Sequence, residues 1–106
     1  MTIMAPKFSL GNIGITSGAM HELCEGREQD EVIHAMRPLL WKHMHGDWGN
    51  VDAHDKRANE DALKTGARIV SSYKLFNVKL WIITDAAWGE DSRVRQVTTI
   101  LRPSDY

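Results

Sequence analysis

The sequence predicts an α+β domain, with N-terminal helices packed on a C-terminal antiparallel sheet of three or four strands. Three observations predict it. Over residues 27–45, Val32, Ile33, Met36, Leu39, Leu40 and Met44 recur at three- and four-residue steps, the period of one helix face. Beyond Gly66, three runs rich in β-branched and aromatic residues follow at 68–74, 78–85 and 97–102, the composition of strands. The helical and strand signals are segregated rather than alternating, which favours an antiparallel sheet over crossover-linked parallel strands.

Each element has its own local signal. Residues 7–16 carry two short apolar runs around Gly11-Asn12 and read as an extended segment or a small strand. Ser17 is the expected cap of a short helix over 18–24, with Gly26 ending it. Pro38 falls inside the long helical pattern, where it removes a donor and crowds the preceding turn. A kink or break near Met36-Arg37 is therefore expected, with Pro38 opening a second helix. Gly46 and Gly49 bracket a turn, after which Asn50 or Asp52 caps a polar surface helix running to about Lys64 and ending at Gly66. Residues 75–77 make a hairpin turn, and 86–96 form a charged connection in a meander. Alternation places Val78, Leu80, Ile82 and Thr84 on one sheet face and Lys79, Trp81, Ile83 and Asp85 on the other. Both faces carry large apolar residues, so both are expected to be partly covered.

Composition narrows the class. A chain of 106 residues is expected to form one domain, 1–106. It can bury roughly two-thirds of its unfolded surface and so folds without a disulfide or metal. The hydrophobic share of 42% and the charged share of 25% exclude a disordered polyelectrolyte. A formal charge of −1 lacks the basic excess of a nucleic-acid binder. Cys24 is the single cysteine and reads as a small apolar filler, with no intramolecular disulfide available. The N-terminus shows no basic segment followed by an apolar core, and runs such as 80–83 are too short to span a bilayer. The expectation is a soluble cytoplasmic protein with no membrane partner and no cofactor.

The densest polar cluster is His43-Met44-His45-Gly46-Asp47-Trp48-Gly49. On one helix, residues two apart point about 200° apart, so His43 and His45 are poor joint ligands. Asp47, Asp52, His54 and Asp55 are the neighbours that would have to complete a shell. The spacing matches no structural zinc site, and no metal site is expected. His43 falls on the apolar face, three after Leu40 and four after Leu39. Two roles fit it: a packed, hydrogen-bonded histidine, or a general acid or base at the rim of a helix–sheet cleft. His45 shares a face with Trp41 and His34. Asp47-Trp48 reads as a structured turn, with Trp48 filling the gap between helices and sheet. On the sheet, Arg68 and Ser72 share one face, Ser71 and Tyr73 the other, with Thr84, Thr98 and Thr99 as further hydroxyls. Phosphate-loop, nucleophile-elbow and His-Glu-x-x-His motifs are missing from the sequence.

These residues resemble a family. Residues 39–49, Asp55 and Asn59, the run Arg68-Ile69-Val70-Ser71-Ser72-Tyr73, residues 80–85 and 98–106, and the opening Ser9-Leu10-Gly11 with Thr16-Ser17-Gly18-Ala19 are similar to short proteins of bacterial plasmids and integrative elements labelled "plasmid-related protein". The similarity covers nearly the whole chain and is most specific at the Gly46–Gly49 turn and the final Ser-Asp-Tyr. It departs at 28–37 and 86–96, which are longer here. The resemblance implies a mobile-element accessory gene in a bacterial cytoplasm and brings no activity with it. A weaker similarity, through Lys42-His43 and Asp47-Trp48-Gly49, is to small metal-independent ribonucleases of the barnase, EndoU, colicin and RelE type.

Three functional expectations follow. The first is a small accessory protein that acts by binding a host or plasmid protein, in anti-defence or plasmid maintenance, with Trp41, His45, Asp47, Trp48 and Tyr73 as binding residues. The second is a ribonuclease, with RNA as substrate. There His43 is the acid or base, Arg68 holds the phosphate, and Ser72 or Thr98 assists. The third is a small-ligand or nucleotide sensor using a cleft behind the Gly46–Gly49 turn.

Overall fold

The computed structural model describes residues 5–106, so the first four residues of the expected domain, and the leader reading made on them, lie outside the described residues. In chain order the elements are β1 (Asn12–Ile15), α1 (Ser17–Leu23), α2 (Gln29–Met44), α3 (Ala53–Thr65), β2 (Ile69–Leu75), β3 (Val78–Thr84), β4 (Val97–Leu101) and a 3-10 turn, Pro103–Asp105. The α+β class is as the sequence predicts, as is the order of helices followed by β2, β3 and β4, while β1 precedes the helices. The sheet runs β1-β4-β3-β2. β2, β3 and β4 form the expected antiparallel meander, while β1 joins the far side of β4 in parallel, pairing Ile13 with Thr98 and Ile15 with Ile100. The sheet is therefore mixed. β1 was ambiguous from local pattern because its four residues include Asn12 and Gly14, neither a strong strand former.

The helix ends show how local chemistry sets boundaries. Thr16, not Ser17, caps α1, its hydroxyl accepting from the Ala19 amide at 3.2 Å. Asp52 caps α3 by accepting from the Asp55 amide at 2.8 Å, and Gly66 ends it in the left-handed region. α2 continues through Pro38, contrary to the expected break. Pro38 and His34, four residues before it, both lie on the exposed side. Water can satisfy the His34 carbonyl left without its helical donor, which removes much of the penalty of an interior proline. The hairpin turn is the pair Phe76-Asn77, both at positive φ, as a two-residue type I′ turn requires.

The inner face of the sheet carries Ile69, Ser71 and Tyr73 of β2, Leu80, Ile82 and Thr84 of β3, and Thr98 and Ile100 of β4, aligned by register. Two apolar clusters build the core. In one, Ala19, Leu23, Val32 and Met36 from α1 and α2 pack on Tyr73, Leu80, Ile82 and Ile100. In the other, Phe8, Trp48 and Ala62 pack on Ile69. α3 runs beside β2, whose outer edge is closed by two devices. The Asn59 amide donates to the Val70 carbonyl at 2.8 Å and accepts from the Val70 amide at 3.1 Å. Residues 48–50 make a one-residue parallel bridge to Ser72, with Ser72 N–H donating to the Trp48 carbonyl at 3.1 Å and Asn50 N–H to the Ser72 carbonyl at 2.7 Å. That approach requires Gly49. Its φ is +72°, and a Cβ there would lie 2.0 Å from the Ser72 carbonyl oxygen. Among the described residues, no strand pairs with the outer edge of β1.

Candidate functional site

His43 arrives at the C-terminal turn of α2 with its ring directed at the sheet, and it is fully buried. Nδ1 lies 2.5 Å from Ser71 Oγ and Nε2 lies 2.8 Å from Thr84 Oγ1. Thr84 Oγ1 is 2.8 Å from Thr98 Oγ1, and Thr98 donates to the Leu10 carbonyl at 2.7 Å. The last contact sets the direction of the whole chain. A carbonyl only accepts, so the single Thr98 hydroxyl proton is committed to Leu10. Thr84 must then donate to Thr98, and its oxygen accepts from His43 Nε2–H. Nδ1 is left as the acceptor of the Ser71 hydroxyl. His43 is thus the neutral Nε2–H tautomer. Phe8 and Trp48 meet its ring edge-to-face, at centroid distances of 5.2 and 6.1 Å. Burial among these groups disfavours the imidazolium and pulls the His43 pKa down to about 3.

The expected ribonuclease residues do not assemble. His43 and Thr98 belong to the same buried hydroxyl chain, with Ser71 and Thr84 as members that sequence reasoning had not tied to His43. Arg68 and Ser72 have the other parity along β2, so they lie on the opposite side of the sheet. His43 offers no exposed nitrogen, and both its nitrogens are occupied. Burial and the lowered pKa make His43 a poor proton acceptor at neutral pH.

The expected binding residues divide in the same way. Trp48 is buried and donates from Nε1 to Glu60 Oε1 at 3.1 Å. Tyr73 is buried and its hydroxyl donates to the Asp47 carbonyl, and burial pushes its pKa up to about 12. The Asp47 carboxylate accepts from the Gly49 amide at 3.2 Å. These three residues fix the turn that closes the β2 edge. Trp41 is 57% exposed, with the His45 ring stacked on it at 4.1 Å and His45 Nδ1 2.7 Å from the Trp41 carbonyl oxygen. Asp52, His54 and Asp55 bring ligand-type atoms within 4.8 Å of one another, but all three are exposed and Asp52 is already used as the α3 cap.

The accessible surface carries several recesses, among them two that adjoin the strands. On the inner side, a groove of about 410 Å³ lies between α2 and β1, lined by Ile13, Ile15, Val32, Ile33, Met36 and Leu40 among others. On the outer face, an open cleft of about 420 Å³ lies between α3 and the 3-10 turn, with Asp55, Asn59, Arg68, Trp81 and Tyr106 around Val70 and Ile83. The cleft is across the sheet from the location expected behind the Gly46–Gly49 turn. Comparison with known protein families, curated proteins and solved structures finds no match for this chain.

Proposed function

We propose that this chain is a small non-catalytic binding protein that captures an extended segment of a partner protein along β1. One observation carries the reading: β1 is an edge strand beside an apolar groove. The Asn12 and Thr16 amides donate towards β4, to the Gln96 and Ile100 carbonyls at 2.8 and 3.0 Å. By the two-residue period, the N–H and C=O groups of Ile13 and Ile15 point away from β4, to the open edge. Ile13 is 50% exposed, as is Ile33 across the groove on α2. No charged residue or proline lies within β1 to blunt that edge. A partner strand would add main-chain hydrogen bonds to Ile13 and Ile15 and seat alternate apolar side chains in the groove.

The resemblance to plasmid-related proteins supports an accessory role for a mobile element, in anti-defence or plasmid maintenance. The partner would then be a host or plasmid protein in the bacterial cytoplasm. Among the described residues no helix is long and apolar enough to cross a membrane.

The test is affinity isolation from a bacterial host, repeated with Ile33→Asp and Ile13→Lys, and with Trp88→Ala as a control at an exposed site remote from the groove. The expected result is a partner held by wild type and by the control, weakened at least tenfold by both groove variants, as truncation of an anchor in a binding interface generally does. Hydrogen exchange at the Ile13 and Ile15 amides should slow in the complex. Capture that is indifferent to both variants, or no capture at all, contradicts the proposal.

A further inference from the structure

We infer that the outer cleft is a binding site for a nucleoside monophosphate, either free or as an unpaired nucleotide of an RNA strand. The inference is independent of partner capture at β1, because the groove and the cleft lie on opposite faces of the sheet.

Arg68 carries the argument. Its Nη1 donates to the Tyr106 hydroxyl at 2.7 Å, and its guanidinium carbon lies 5.8 Å from the Tyr106 ring centroid. Among the described residues no carboxylate lies within ion-pair distance of it. The other arginines with built contacts are differently committed. Arg102 pairs with Glu22 and Asp105, and Arg93 with Asp91. Arg95 is spent on carbonyls, and Arg27 lies over the Phe76 ring and donates to the Leu23 and Glu25 carbonyls. Tyr106 therefore orients Arg68 without neutralising it, leaving the rest of a five-donor fork for an anion. Phosphate suits that planar fork.

The surface beside this cation is aromatic. Trp81 and Tyr106 meet edge-to-face at 5.8 Å and 75°, and Tyr106 is 69% exposed. The exposed Tyr106 ring, with the half-buried Trp81 beside it, is available for stacking, and every nucleobase has a flat face to offer. Val70 and Ile83 form an apolar floor, and Asp55 supplies a carboxylate that can accept from a base N–H. Asn59 lines the cleft but is committed to the Val70 backbone. A volume of about 420 Å³ falls in the range of small-ligand sites, roughly 300–1,000 Å³. A phosphate-binding cation beside a stacking surface and a carboxylate acceptor addresses both the phosphate and the base of a nucleotide, whereas a simple anion would use only the cation.

The experiment titrates the full chain with GMP, AMP and UMP, with ribose 5-phosphate, with inorganic phosphate, and with a short single-stranded RNA. The Trp81 indole resonance is the readout, assigned through Trp81→Phe. The expected result is saturable binding of nucleotides and weaker binding of ribose 5-phosphate and phosphate. Arg68→Gln, at an exposed position, should weaken nucleotide binding about tenfold or more through loss of a charge-assisted contact. Ile33→Asp should leave it unchanged, which separates this site from the β1 groove. RNA bound more tightly than any mononucleotide identifies the strand as the source, and equal binding identifies the free nucleotide. Absence of nucleotide binding at millimolar concentration overturns the inference. So does equal binding of phosphate and nucleotide, or binding unchanged in Arg68→Gln.

Discussion

Replacing His43 with alanine is expected to destabilise the fold by about 3–5 kcal/mol, the scale of a large buried truncation. Two effects add. The imidazole fills space in the core against Phe8 and Trp48. Its removal also leaves the Ser71 hydroxyl without its acceptor and the Thr84 oxygen without its donor. An orphaned buried polar group is costlier than the hydrogen bond it made. Chemical denaturation should show the loss as a lower midpoint. The combined variant His43→Phe, Ser71→Ala, Thr84→Val removes three of the four polar members together and leaves only Thr98. It should recover most of the stability, because Thr98 still donates to Leu10. A His43→Ala protein within about 1 kcal/mol of wild type would contradict the buried-network account.

The same residue gives stability a defined pH dependence. Its folded pKa is about 3, below the unfolded value of about 6.5. Between these values the unfolded chain binds the extra proton. The stability that neutral His43 contributes is therefore fully present above pH 6.5 and is lost as pH falls towards 3. The slope attributable to this group approaches about 1.4 kcal/mol per pH unit within the window. The combined variant should lack that component of the slope.

Arg95 carries the second large effect. It is 2% exposed, in a loop otherwise rich in exposed charge. Nε donates to the Ser92 carbonyl at 2.6 Å, Nη1 to Ala67 at 2.6 Å and Asp85 at 3.2 Å, and Nη2 to Ala62 at 3.0 Å. These carbonyls come from the loop itself, the end of α3, the entry to β2 and the exit from β3. One guanidinium thus ties four segments together, and its charge suits the C-terminal end of α3. Desolvation lowers its pKa from the usual arginine value. Arg95→Met, which keeps most of the volume and none of the donors, should cost more than about 3 kcal/mol, because four charge-assisted hydrogen bonds of one buried side chain are lost together. For a chain of this size that is a shift of roughly 1–3 M in the urea midpoint. Arg95→Lys should rescue little, since an ammonium cannot reproduce the planar fork. A urea midpoint for Arg95→Met that matches wild type would show the loop to be independent of this residue.

The parts of the fold that depend on local pattern were legible. Helical phase placed His43 on the buried side of α2, Asp52 was a readable cap, and alternation along β3 sorted Leu80 and Ile82 from Trp81 and Ile83. What was not legible depends on distant partners. The hydroxyls that hold His43 lie 28 and 41 residues further on, so its burial was visible while its role was not. β1 lies against β4 through pairing across more than eighty residues, and parallel pairing leaves no turn signal between the two strands. Arg95 reads as one more charge in a polar connection, because no local pattern reports carbonyls converging from α3 and β3. Arg68 and Ser72 were rightly placed on one face together, but that face is not the one His43 meets. The four residues expected of a ribonuclease are thereby divided between the two faces of the sheet.

His43, the centre of the most conspicuous cluster in the sequence, is held inside the core at both ring nitrogens, the geometry of a neutral structural link. Nitrogen-15 NMR of the His43 ring through a pH titration tests it most directly. The account predicts the Nε2–H tautomer, with both ring nitrogens unchanged from neutral pH down to about pH 4 while the fold persists. A titration midpoint near 6.5 in the folded protein would contradict it and return His43 to the candidates for acid–base chemistry.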